Sequence, residues 1–128
     1  MPYTLIATWV GKIGLVLFFV VSGIDHLVNL QVMTARAQAK KVPMASAAVV
    51  VTSLMMLAGS AMVLLRWHAL WGSSLLILYA APAALVMHNF WAETDPAAKA
   101  NALGHFLKNL GLCAGVGMYA VGVHVGAW

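Results

Sequence analysis

The side chains able to carry chemistry in this chain are few, and they recur at helical spacing. Ser22, Asp25, His26 and Asn29 stand at i, i+3, i+4 and i+7, which is one face of a helix. Asn101, His105 and Lys108 repeat the pattern nearer the C-terminus, with Asn109 beside them, and His88-Asn89-Phe90-Trp91 followed by Glu93 lies between. Such a set suits a quinone or a similar amphipathic head group. Histidine, asparagine and lysine donors would hold two carbonyl oxygens, and Asp25 or a histidine would exchange protons with water. The ligand-binding set expected on this reading is Asp25, His26, His88, Asn89, Trp91, His105, Lys108 and Asn109.

Two other chemistries use the same residues. His26, His88 and His105, with Asp25 or Glu93, form a weaker alternative as metal ligands. No CxxC or HExxH spacing is present, and the adjacent Asp25 and His26 do not easily aim at one point. Two of the five histidines could instead ligate a b-type haem, but a small bundle would have to open to admit the porphyrin, and His68 and His124 lie apart from the cluster. Against all three stands a structural role, in which terminal polar residues reach for water and hydrogen-bond between helices.

The elements that position these residues follow from composition. The chain has 128 residues, 63% of them hydrophobic and only 8% charged, where an ordinary soluble domain has roughly 25% charged residues. So few charges cannot cover a soluble monomer. Disorder needs the opposite balance. The net charge of +4 comes from scarce acids rather than abundant bases, with no basic stripe for a nucleic acid. An integral membrane protein remains, its first partner the lipid bilayer.

A spanning helix needs about 20 apolar residues, and four windows supply them within one domain covering residues 1–128. They run about 5–28, 45–65, 69–91 and 97–125. None alternates as a barrel strand would, so the fold class is an all-α, four-helix transmembrane bundle. Arg66, Trp67 and His68 leave only a short turn between the second and third spans, making those helices antiparallel neighbours. The first connection, about Leu30 to Met44, is polar and ends in Pro43, a residue suited to the start of a helix. Asp95 and Pro96 read as the cap and first residue of the last helix, and Pro82 bends the third. No basic residue precedes the first apolar run, so a cleaved signal peptide is not expected.

The expected helix-packing glycines are Gly59 in the second span and Gly111, Gly115, Gly122 and Gly126 in the fourth; the last four form two GxxxG spacings for close packing, either inside the bundle or against another membrane subunit or copy. Trp9, Trp67, Trp71, Trp91 and Trp128 fall near the expected interfaces. Cys113 is alone, so no internal disulfide is available. Arg36, Lys40, Lys41, Lys99 and Lys108 on one side outnumber Lys12 and Arg66 on the other, which puts both termini outside the cytoplasm. A charge at a helix centre costs about 2.5–3.5 kcal/mol and usually faces inward. All three polar sets lie near one membrane face.

Ser22-Gly23-Ile24-Asp25-His26-Leu27, Ala39-Lys40-Lys41-Val42-Pro43, His88-Asn89-Phe90-Trp91 and Phe106-Leu107-Lys108-Asn109-Leu110 together resemble the DoxX family of small four-helix membrane proteins, over nearly the whole chain. The resemblance implies a subunit of a quinone-linked redox complex in a bacterial-type inner membrane, not catalytic alone. The alternative is a noncatalytic packing or assembly subunit docking a larger complex through its glycine faces. Relatives often carry an acid before the glycine of the second helix, where this chain has Leu57-Ala58-Gly59. They often place a basic residue where His26 stands.

Overall fold

A backbone in hydrocarbon must bond to itself, so long apolar runs fold as helices there. The computed structural model describes residues 2–127, and among them no strand occurs. Five helices are present: α1 (Pro2–Val28), α2 (Leu30–Ala39), α3 (Ala45–Leu65), α4 (Ala69–Met87) and α5 (Pro96–His124), with a 3-10 turn at Phe90–Ala92. Four stretches are long and apolar enough to cross a bilayer: Leu5–Val28, Ala45–Leu65, Ala69–Ala92 and Pro96–His124. The protein is an all-α, integral membrane bundle of four spans.

Helix α2 departs from the expected loop over Leu30 to Met44. Its sequence, LQVMTARAQA, is built mainly of good helix formers, and packing completes it. Ala37 is buried against Ala45 and Val49 of α3, with Leu30, Met33 and Val42 around them. Pro43 does not open α3. It precedes Met44, which caps the helix in the left-handed region (φ 48°). Helix α4 ends at Met87, short of Trp91, because His88 leaves helical geometry (φ −121°, ψ 40°) and the chain turns. Asp95 caps α5 as expected, its Oδ2 accepting from Ala98 N at 2.8 Å, with Pro96 first in the helix.

Helix α1 packs on α3, α3 on α4, and α4 on α5, whereas α1 and α5 touch only slightly. Val16, Phe19, Met56, Val63, Leu76, Ala80, Val116 and Tyr119 fill the centre. The closest approach is between α3 and α4. A Cβ on Gly59 would stand 2.8 Å from the Gly72 carbonyl oxygen, and one on Gly72 would stand 2.7 Å from Met62 Cβ. Gly23 in turn brings α1 against Leu57 and Ser53 of α3.

Cross-helix contacts fix the levels. Leu15 of α1 meets Gly115 of α5, and Tyr119 Oη donates to the Val63 carbonyl at 3.2 Å. The start of α1 and the end of α5 therefore share one end of the bundle with the turn at residues 66–68. The other end holds α2 and the loop between α4 and α5. Trp9, Trp67, Trp71 and Trp91 are all well exposed, as interfacial anchors should be. Trp128 lies outside the described residues.

Candidate functional site

A cavity of about 420 Å³ opens at the loop end of the bundle. Its polar lining comes from all five helices. Helix α1 supplies Ser22, Asp25 and His26, α2 supplies Arg36, α3 supplies Thr52, and α5 supplies His105, Lys108 and Asn109. Tyr79 of α4 and His88 at its end complete the ring, and Phe18, Leu78, Val86 and Met87 make apolar wall. Pro82 also lines the cavity. Having no N–H, it leaves the Leu78 carbonyl without its usual helical partner.

Six of the eight expected ligand-binding residues, Asp25, His26, His88, His105, Lys108 and Asn109, therefore meet at one place. The His88 and His105 rings stack with centroids 4.9 Å apart and 16° between planes. Lys108 Nζ lies 3.1 Å from His105 Nδ1 and 4.4 Å from the centre of the Phe18 ring. His26 stands edge-on to Tyr79 at 6.4 Å. Asn29 Nδ2 donates to Asp25 Oδ1 at 2.7 Å, the i, i+4 pair that the spacing predicts. Asn109 is 2% exposed.

Asn89 and Trp91 do not join the lining. Because α4 ends at Met87, both swing to the rim. Asn89 Oδ1 accepts from Lys40 Nζ at 2.7 Å, and the same ammonium pairs with Glu93 Oε1 at 3.0 Å. Trp91 is 54% exposed and packs edge-on against Phe90 and Phe106. The Lys40 bridge thus ties the end of α2 to the α4–α5 loop beyond the walls that Arg36 and His88 line.

Phe18, Arg36, Thr52 and Tyr79 belong to the lining although the sequence did not single them out. Arg36 follows Asn29 at i+7, a signal hidden when residues 30–39 are read as a loop. Thr52 is turned inward by its own backbone, donating to the Ala48 carbonyl at 2.7 Å. Nothing in the local pattern marks Phe18 or Tyr79.

Neither alternative chemistry gains geometric support. Among the described residues no three His, Cys, Asp or Glu side chains gather to hold a metal ion, so His26, His88 and His105 do not form a ligand set. His88 and His105 stack face to face, whereas two axial haem ligands would aim nitrogens from opposite sides of a ring.

The glycine faces are also redistributed. Gly115 packs inside the chain against Leu15, and no atom of another element comes within 4 Å of a Cβ built on Gly111. Gly122 is buried in α5. Gly126 lies past the helix end with φ +72°, so Gly122 and Gly126 do not share a helical face. The tightest glycine contacts are those of the expected Gly59 and of Gly72, a partner without a GxxxG signature, where α3 meets α4.

Lys12 lies apart from the cavity. It is 4% exposed, with Nζ 3.6 Å from the centre of the Trp9 ring. Comparison with protein-family models, with curated proteins and with solved structures found no match.

Proposed function

We propose that this protein is a DoxX-like subunit of a quinone-linked membrane redox complex, and that the cavity at its loop end binds a quinone or a comparable amphipathic ring. One observation carries the reading. Polar residues from α1, α2 and α5, with His88 at the end of α4, converge on a single cavity within otherwise apolar spans. Intramembrane ionisable residues gathered in this way mark ligand or proton sites, and an apolar pocket with a few convergent polar groups is the usual form of a small-molecule site.

The residues fit such a ring. Lys108 and His105 on α5, His26 on α1 and Arg36 on α2 all line the cavity, so donors for ligand oxygens come from three helices. Leu78, Val86, Met87 and Phe18 suit its apolar faces. Asp25 would exchange protons with water at the rim. When bound, a quinone supplies the two-electron redox chemistry, and this chain's part is to hold and orient it. The excess of Lys and Arg at the loop end supports a cytoplasmic position for the cavity and outer positions for both termini.

The test is binding of a short-tailed quinone to the purified protein in lipid nanodiscs, followed by quinol-linked activity of the intact complex. His88→Ala and Lys108→Ala should each weaken binding about tenfold, equivalent to about 1.4 kcal/mol. Unchanged affinity and activity in both variants would sink the reading. The open surface at Gly111 favours a second one, a packing or assembly subunit. In that case Gly111→Leu would release a partner subunit while the histidine variants behave normally.

A further inference from the structure

We infer that the occupant of the cavity is a monoanion, its charge balanced by the Lys108 and Arg36 cations of the lining, on an apolar body that reaches the site from the bilayer between α1 and α5. The inference rests on the cavity being a ligand site, as proposed above, and names the chemistry of what it takes.

The depth of Lys108 is the first support. Its ammonium lies over Phe18, which is 13 residues from Leu5 and 10 from Val28 in the first span. At about 1.5 Å per residue, that is about 20 Å from one end of the span and about 15 Å from the other. The amine therefore lies level with the interior of the first span rather than with its end. The sequence alone places it with the polar sets near one membrane face. A cation at that depth is costly and faces a cavity, a partner or a pathway.

The second support is charge. Lys40–Glu93 is the only ion pair among the described residues. Lys108 has a histidine nitrogen and an aromatic face for neighbours, and neither cancels its charge. Arg36 has the Met33 sulfur at 3.9 Å, a weak acceptor. Asp25 is the single carboxylate of the lining, and its hydrogen-bond donor is the neutral Asn29. Two cations against one carboxylate leave the wall with an excess of one positive charge, histidines neutral. A monoanion balances it, whereas a neutral head group leaves the excess charge in place.

Access is the third. The Lys40 bridge to Asn89 and Glu93 joins the two walls on the loop side. On the lateral side α1 and α5 touch only slightly, and Lys108, an exposed residue of α5, has its ammonium over Phe18 of α1. An apolar body can lie in that gap with no polar group stripped of water, and the acidic oxygen then meets Lys108 first.

Two probe pairs test this on the whole protein in phosphatidylcholine nanodiscs, by calorimetry at neutral pH. One pair is an alkyl hydroxynaphthoquinone, ionised at that pH, and its neutral methyl ether. The other is lauric acid and methyl laurate. In at least one pair the anion should bind about tenfold or more tightly than its neutral partner. The pair that shows the preference distinguishes a quinoid from a fatty acid occupant. Arg36→Gln and Lys108→Gln should each bring the ratio toward one, and Arg36 lies on an exposed face of α2 where the change does not threaten the fold. Neutral probes matching both anions would overturn the inference while the ligand site stands. Failure of every probe to bind would overturn both.

Discussion

Replacing Gly72 with alanine should separate α3 from α4. A Cβ there stands 2.7 Å from Met62 Cβ and 2.9 Å from the Gly59 carbonyl oxygen. Ordinary carbon contacts lie at about 3.5–4.0 Å, so the helices must part by on the order of 1 Å. The atoms struck are a Cβ and a backbone oxygen, neither of which can rotate away. Overpacking of this kind costs about 1–3 kcal/mol, and the better helix propensity of alanine returns up to about 1 kcal/mol. With that return subtracted, the net loss is on the order of 1 kcal/mol. Gly111→Ala is the matched control. It meets nothing within 4 Å, so the isolated protein should be unchanged or stabilised by up to about 1 kcal/mol. Reversible unfolding in mixed micelles, followed by circular dichroism against the mole fraction of dodecyl sulfate, measures both. Gly72→Ala as stable as the parent, or Gly111→Ala as damaged as Gly72→Ala, would refute the packing argument.

The Lys40 bridge predicts a measurable coupling. In a double-mutant cycle of Lys40→Ala and Glu93→Ala the interaction should be about 0.5–1 kcal/mol, diminished by salt, and a value of zero would mean that α2 is held by Ala37 packing alone. Asp95→Ala should cost about 1 kcal/mol through loss of the α5 cap, and Asp95→Asn should keep most of it. Equal loss in both variants would instead assign the effect to charge at the helix end.

Composition and window length were enough to define the bundle, because a bilayer accepts little else from an uncharged run of twenty residues. The short turn at Arg66-Trp67-His68 paired α3 with α4, and the Asp95-Pro96 cap placed the start of α5. Both are local effects, decided by the backbone's own hydrogen bonds. Likewise the i, i+3, i+4, i+7 spacing put Asp25 and Asn29 in contact and aimed His26 with them, since a helix fixes which of its residues share a face.

Where elements meet, local pattern carries no such information. Helix α2 exists because Ala37 finds Ala45 and Val49, so its arginine could not be placed in the site from spacing alone. His88 entered the cavity and Asn89 and Trp91 did not, because the helix ended one turn early and the chain reversed. Gly59 and Gly72 are 13 residues apart with no motif between them, and only the antiparallel crossing makes them touch. The level of Lys108 beside Phe18 was decided in the same way, by the register of α5 against α1. The sequence by itself determined that this chain crosses a membrane four times and gathers its polar residues at one end. The tertiary structure alone decided which of them share a cavity and how far from water each lies, because those depend on the sliding and ending of helices past one another.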